Sequence, residues 1–290
     1  SKNHAYEKNG HVLFHVPSYE NYGKLSKRNR DEQIAGSRVE VAPFKKDPAD
    51  FILWKPSNNE QPGWNSPWGY GRPGWHTECS AMSEKTLGLP FDIHGGGRDL
   101  TFPHHENEIA QSCCSSAGTS DPKSYVNYWM HNGFVTVNGE KMSKSLGNIS
   151  LVKDLTENNH GEVIRLSLLS SHYRQALDWN DKIIHQAKKL LDKLYKVLSD
   201  LKDIKPSEIN ESSMGFISPL LDDLNTPGLL ANLNKMIKDF KNISDKDLPE
   251  FKSKLLLANE LMGICQEDYL DWFNHDKEDL DTNMIDALVL

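Results

Sequence analysis

The sequence predicts an α/β fold, with a β-rich front, a parallel-sheet middle and a helical tail. Three observations carry this. Short alternating apolar runs dominate the first fifty-odd residues, the period of half-buried strands. Residues 76–112 then read as helix (HTECSAMSEKTLG), strand (LPFDIH), glycine turn (GGG) and a second helix (FPHHENEIAQ), the alternation from which parallel sheets are built. Beyond residue 150 the apolar spacing becomes helical.

In chain order, HVLFHV (11–16), SRVEVAPF (38–45) and DFILWKPS (50–57) are the expected front strands. QPGWNSPWGYGRPGW (61–75) is too rich in Gly, Pro and Trp for a regular element and is long enough to be a functional loop. Pro103 can sit in the first turn of a helix, where its missing N–H has no partner, and Ile109 and Cys113 follow at helical spacing. YVNYWMHNGFVTV (125–137) is a strand region ending at the Asn138-Gly139 turn. EVIRLSLLSS (162–171) and residues 180–201 are helices, the latter with an apolar stripe at i, i+3, i+4 and i+7 that reads as core. Two more helices are expected, one capped by Thr226 and opened by Pro227, the other running from about Phe251 to Ile264.

At 290 residues the chain is long enough for two or more units. No apolar run approaches the roughly 20 residues of a membrane helix, and SKNHAYEKNG has neither an apolar signal core nor an Arg-rich transit character. A cytoplasmic location without membrane contact is expected. The sequence starts without Met and stops at IDALVL, so it is expected to be a segment of something longer. Four cysteines, Cys79, Cys113, Cys114 and Cys265, are too sparse for a secreted disulfide framework, which leaves reduced thiols or metal ligands. A net charge of −8 excludes indiscriminate binding to nucleic acid but not a local basic patch.

Three constellations carry candidate chemistry. His104 and Glu108 lie four apart on the predicted helix, so one imidazole and one carboxylate can point at a single atom; with the thiol of Cys79 they make a donor set that suits zinc. A polar first turn and a small buried cysteine would be the plain alternatives. DIHGGGRD (92–99) puts glycines where a backbone can approach a ligand closely and Asp99 where it can accept from hydroxyls, or it is a tight turn and nothing more. GEKMSKSLGN (139–148) sets Lys141 and Lys144 in a loop just after a strand, suited to stabilising charge that develops on transferring phosphates.

KMSKS is the signature loop of class I aminoacyl-tRNA synthetases. Together with GRPGWHTECSAM (71–82), FDIHGGGRDLTFPHHENEIAQS (91–112), NGFVTVNGEKMSKSLGN (132–148) and LSSHYR (169–174), it makes the chain resemble the cysteinyl-tRNA synthetases along nearly its whole length, most weakly after residue 200. The resemblance implies a zinc ion held by four protein ligands, three of which match Cys79, His104 and Glu108. It implies Trp75 at the amino-acid pocket, His94 and Gly95, Gly96 and Gly97 at the adenosine surface, Asp99 on the ribose and Lys144 on ATP, with Lys141 the other catalytic lysine of the loop. Segment by segment it implies a connecting, acceptor-stem insertion (1–75), the second half of a Rossmann-like catalytic domain (76–150), a stem-contact segment (151–205) and a helical bundle (206–290) leading to an anticodon-binding domain. The family's HIGH-type motif and a further zinc cysteine have no match here; the nearest string is IHGGG. The chain as it stands is therefore expected to be incomplete for catalysis.

The implied reaction joins L-cysteine to ATP, with Mg2+, to give cysteinyl-adenylate and pyrophosphate, and then passes the acyl group to the 3′ end of tRNA(Cys). Cysteine and serine differ little in shape, so size alone discriminates poorly; a zinc ion takes a soft, readily ionised thiolate and not an alcohol. Two rivals remain. The ligase that joins cysteine to an amino-sugar in mycothiol synthesis shares FPHHE but lacks the glutamate that matches Glu108, and a non-catalytic RNA-binding fragment of a synthetase would not need an intact KMSKS loop and zinc triplet.

Overall fold

The computed structural model describes residues 2–36, 42–143 and 145–278. The chain divides into two compact units, Ser1–Asn132 and Gly133–Leu290. The division falls inside the 76–150 segment.

The first unit opens with β1 (Ala5–Lys8) and β2 (His11–Phe14), antiparallel about a turn in which Asn9 and Gly10 both have positive φ. A helix, α1 (Arg30–Gly36), precedes β3 (Phe51–Pro56) and β4 (Gly71–Pro73), and the four strands form one antiparallel sheet in sequence order. The strand expected over 38–45 lies partly outside the described residues, and Ala42 to Lys45 form a turn closed by Lys45 N–H to the Ala42 carbonyl at 2.9 Å. The loop over 61–75 is not wholly irregular, because its end pairs with β3 as β4 and Trp75 already begins a helix.

That helix is α2 (Trp75–Leu87), followed by β5 (Phe91–Gly97), α3 (His104–Ser112) and β6 (Val126–Asn132). β5 and β6 are parallel, as the alternation requires. The glycines expected to turn the chain do not. Gly95, Gly96 and Gly97 continue β5 and pair with Met130, His131 and Asn132; the turn comes after them, at Arg98–Thr101. Ladder bonds to a neighbouring strand override the local preference of glycine for turns. Phe14, Phe51, Phe91, Ile109 and Tyr125 centre this unit's core, with Phe14 stacked on Phe51 at 5.0 Å.

In the second unit β7 (Val135–Val137) and β8 (Glu140–Lys141) form a hairpin around Asn138 and Gly139, whose φ angles of 51° and 81° suit a tight two-residue turn. The helices α4 (Val152–Asn158) and α5 (Gly161–Leu169) lead to β9 (Leu177–Trp179), which pairs parallel to β7. The strand region expected over 125–137 is thus two strands of different sheets, interrupted at Gly133, where a Cβ would fall 2.1 Å from the Gln175 carbonyl oxygen.

Among the described residues five more α-helices follow: α6 (Asp181–Asp200), α7 (Glu211–Leu221), α8 (Thr226–Asp239), α9 (Leu248–Met262) and α10 (Tyr269–Glu278). The stripe of α6 buries Leu191, Leu194 and Tyr195 against Leu229, Leu233, Leu255 and Trp272. Asn225, not Thr226, caps α8, its Oδ1 accepting from Gly228 N–H at 2.9 Å; Thr226 turns its hydroxyl to the Leu169 carbonyl instead.

Candidate metal centre and active site

Two helices and one strand supply the site. Gly74 caps α2, so Trp75 and Cys79 fall one turn apart on the same face. Every residue of α3 is buried, which forces its polar groups to find partners inside the protein. His104 and Glu108 stack as residues four apart do, with Nε2 and Oε1 at 2.5 Å. The donor atoms of Cys79, His104 and Glu108 all lie within 4.8 Å of one another. The ring of Trp75, 54% exposed, stacks on His104 at 4.1 Å.

A second group, His94, His105 and Glu108, shares the carboxylate. Hydrogen bonding decides between them. Glu108 Oε2 accepts from Tyr125 Oη at 2.7 Å and lies 2.8 Å from His94 Nε2, and His105 Nδ1 is engaged with His131 Nε2 at 2.8 Å. Oε1 is buried and makes no aligned hydrogen bond, even with His104 so close. A buried acceptor left over beside an imidazole and a thiol is what a cation would satisfy. Sulfur, nitrogen and oxygen donors in this number fit zinc, with room for a further ligand.

The electrostatics follow the contacts. Burial pushes the Glu108 carboxyl up, but the close imidazole of His104 and the hydrogen bonds that Oε2 makes with His94 and Tyr125 outweigh it and hold it at about 2. Burial raises the Cys79 thiol, with the charge of Glu108 adding to it; a bound cation would act in the opposite sense. His76, whose Nδ1 lies 2.7 Å from Nδ1 of His104, is pressed down to about 4 by burial and then by that neighbour. Neutral His76 therefore orients the candidate ligand through its second nitrogen.

Of the other expected site residues, Gly95, Gly96 and Gly97 lie along β5 and Asp99 is exposed in the turn after it. Gly96 is tightly packed, since a Cβ there would meet His105 Cε1 at 2.8 Å and one of the two would have to shift. His94 is next to the glycines in sequence, but its imidazole turns to Glu108. In the second unit Lys141 is exposed on β8, and Asn148 ties the following loop, accepting from Ser143 N–H at 2.8 Å and donating to the Lys141 carbonyl at 3.2 Å. Lys144 lies outside the described residues. Glu106, between the two candidate ligands of α3, is engaged elsewhere: its two oxygens accept from the backbone N–H groups of Gly23 and Ser26 at 2.8 and 2.9 Å. His76 and Tyr125 were not legible as site residues, although His76 stands three residues before Cys79, a helical spacing that could have pointed to it.

Among the described residues no helix is long and apolar enough to cross a membrane. A family model described as tRNA synthetases class I (C) catalytic domain matches residues 1–189. The cysteine–tRNA ligase of Parvibaculum lavamentivorans is 54% identical over 93% of this chain and 57% of its own length. That of Maricaulis maris is 50% identical over 99% of this chain and 62% of its own. The chain thus spans about six-tenths of the curated relatives it matches. Among solved structures, a putative arginyl-tRNA synthetase from Campylobacter jejuni superposes with a TM-score of 0.53 at 14% identity, covering 92% of this chain and 59% of that one. Mycobacterium tuberculosis methionyl-tRNA synthetase in complex with methionyl-adenylate gives 0.51 at 18%, covering 87% and 58%. At these identities the likeness is one of fold: α/β, as the sequence predicts.

Proposed function

The chain belongs to the family of class I (C) tRNA synthetase catalytic domains, and from that premise we propose that it serves the ATP-dependent activation of L-cysteine and its transfer to tRNA(Cys), in the cytoplasm. The family's curated relatives, named cysteine–tRNA ligases, support the reaction. The observation that carries the proposed selectivity is the orphaned Oε1 of Glu108 beside His104 and Cys79. Zinc held there would favour the thiolate of cysteine over the hydroxyl of serine.

The chain's own residues take the remaining roles. Trp75, exposed and stacked on His104, lines the amino-acid pocket; the glycines of β5 leave backbone open to the adenosine, and Asp99 accepts from the ribose. Lys141 and Lys144 supply positive charge to the phosphates during adenylation, with Mg2+. The segments 1–75, 76–150, 151–205 and 206–290 act as acceptor-stem insertion, second half of the catalytic domain, stem contact and helical bundle. Against the amino-sugar ligase stands Glu108, which that enzyme lacks and which here is the hub of the donor cluster.

The test is cysteine-dependent ATP–pyrophosphate exchange by the chain together with any flanking sequence of its reading frame. Exchange with L-cysteine that exceeds exchange with L-serine by on the order of a hundredfold or more is expected. Exchange that ignores the amino acid would overturn the proposal.

A further inference from the structure

The carboxylate of Glu108 could bind a metal through one oxygen or two, and the choice sets whether a three-residue site keeps room for another ligand. Its surroundings make the choice. The Tyr125 hydroxyl donates to Oε2 at 2.7 Å, and His94 Nε2 lies 2.8 Å from that same atom, while Oε1 has no aligned partner. We propose that Tyr125 is a positioning residue that, by taking Oε2, limits Glu108 to a single oxygen for the metal. The inference rests on the zinc-site reading above and adds to it the residue that controls coordination number.

Tyr125 is built for that task. Its side chain is fully buried. Its ring stands edge-on to Phe91 at 5.2 Å, and its backbone carbonyl accepts from Phe91 N–H at 3.2 Å, so the first residue of β5 fixes it twice. Its own N–H donates to the Pro122 carbonyl at 3.2 Å, which fixes the approach to β6. The hydroxyl therefore reaches α3 from a rigid frame and cannot follow the carboxylate if it rotates. A buried tyrosine needs some partner for its hydroxyl; here the partner is the one oxygen whose removal from the metal leaves a coordination position open.

The experiment compares the parent with Tyr125→Phe, which keeps the ring contacts and removes only the donor, and uses Cys79→Ser as control. Zinc affinity is measured by competition with a chromophoric chelator, cobalt(II) coordination by visible absorption, and the metal-free fold by circular dichroism. The variant should bind zinc about tenfold more weakly, the effect expected of an outer partner of a metal ligand. Its cobalt bands should lose intensity as Glu108 becomes bidentate and the four-coordinate spectrum gives way to a five-coordinate one, while the metal-free spectrum matches the parent's. Affinity within twofold of the parent with an unchanged cobalt spectrum overturns the inference, as does a loss of affinity that merely tracks loss of the metal-free fold. If Cys79→Ser binds zinc as well as the parent, the site reading itself fails and Tyr125 has no metal to serve.

Discussion

His104 and Glu108, four residues apart on a fully buried helix, bring Nε2 and Oε1 to 2.5 Å without forming an aligned hydrogen bond. Two polar groups this close, in a core, with an acceptor unsatisfied, describe half of a coordination shell; Cys79 on the neighbouring helix supplies a third donor. Replacing His104 by Ala, or Cys79 by Ser, should therefore lower zinc affinity at least tenfold by chelator competition. Unchanged zinc content after dialysis in both variants would move the metal elsewhere.

Gly96→Ala tests the packing under the site. The added methyl would press on His105 Cε1 from 2.8 Å, and that ring is buried and held by His131. Overpacking of this kind costs about 1–3 kcal/mol, read as a lowered thermal midpoint. A midpoint equal to the parent's would mean that His105 can move aside.

The metal-free protein should lose stability as pH falls from about 6.5 toward 4. His76 and His105 are held at about 4 and about 3 by burial first, and then by neighbouring histidines. The unfolded chain binds their protons at a higher pH than the folded one, so their contribution is complete above about 6.5 and declines below it. Glu108 acts lower on the scale, because its carboxyl is depressed: its contribution is complete above the ordinary carboxyl value of 4.5 and is lost progressively as pH falls from there to about 2. Denaturant midpoints at successive pH values check the sign, and a flat profile between pH 7 and 4.5 contradicts it.

Lys144→Ala should lower cysteine-dependent pyrophosphate exchange by about 10²–10³ in the active enzyme, since a preorganised charge on the transition state is worth a few kcal/mol. Metal content should stay the same. Exchange within twofold of the parent removes Lys144 from the phosphate chemistry.

Binding of tRNA should weaken steeply with added salt despite the net charge of −8, because phosphate contacts release counterions. Filter binding across a salt series reads the slope. A flat titration would take phosphate contacts out of the account.

Much of this site can be read from spacing, and the unread part has a physical cause. The pairing of His104 with Glu108 is a local property of a helix, so the interval of four residues reveals it. The approach of Cys79 is tertiary; its donor chemistry suits the same metal and the family resemblance points to it, but no interval in the sequence does. Gly95 to Gly97 mislead for a related reason, since a glycine run signals a turn locally while its pairing with Met130 to Asn132 is set by a strand thirty-odd positions away. The cap of α8 is misplaced by one residue because Asn225 and Thr226 can both cap, and the Leu169 carbonyl, remote in sequence, claims the threonine. Tyr125 gives no signal in the sequence, as nothing near it marks a hydroxyl that ends on Glu108.

The central claim is that zinc sits on Cys79, His104 and Glu108 with a position for the substrate thiolate. X-ray absorption at the zinc edge tests it most directly, because sulfur at about 2.3 Å is distinguished from nitrogen and oxygen at about 2.0–2.1 Å. For these 290 residues by themselves, which lack the family's further zinc cysteine, the account predicts one sulfur neighbour without substrate, two after addition of L-cysteine, and no change with L-serine. A zinc shell without sulfur, or a sulfur count that L-cysteine leaves unaltered, would contradict it.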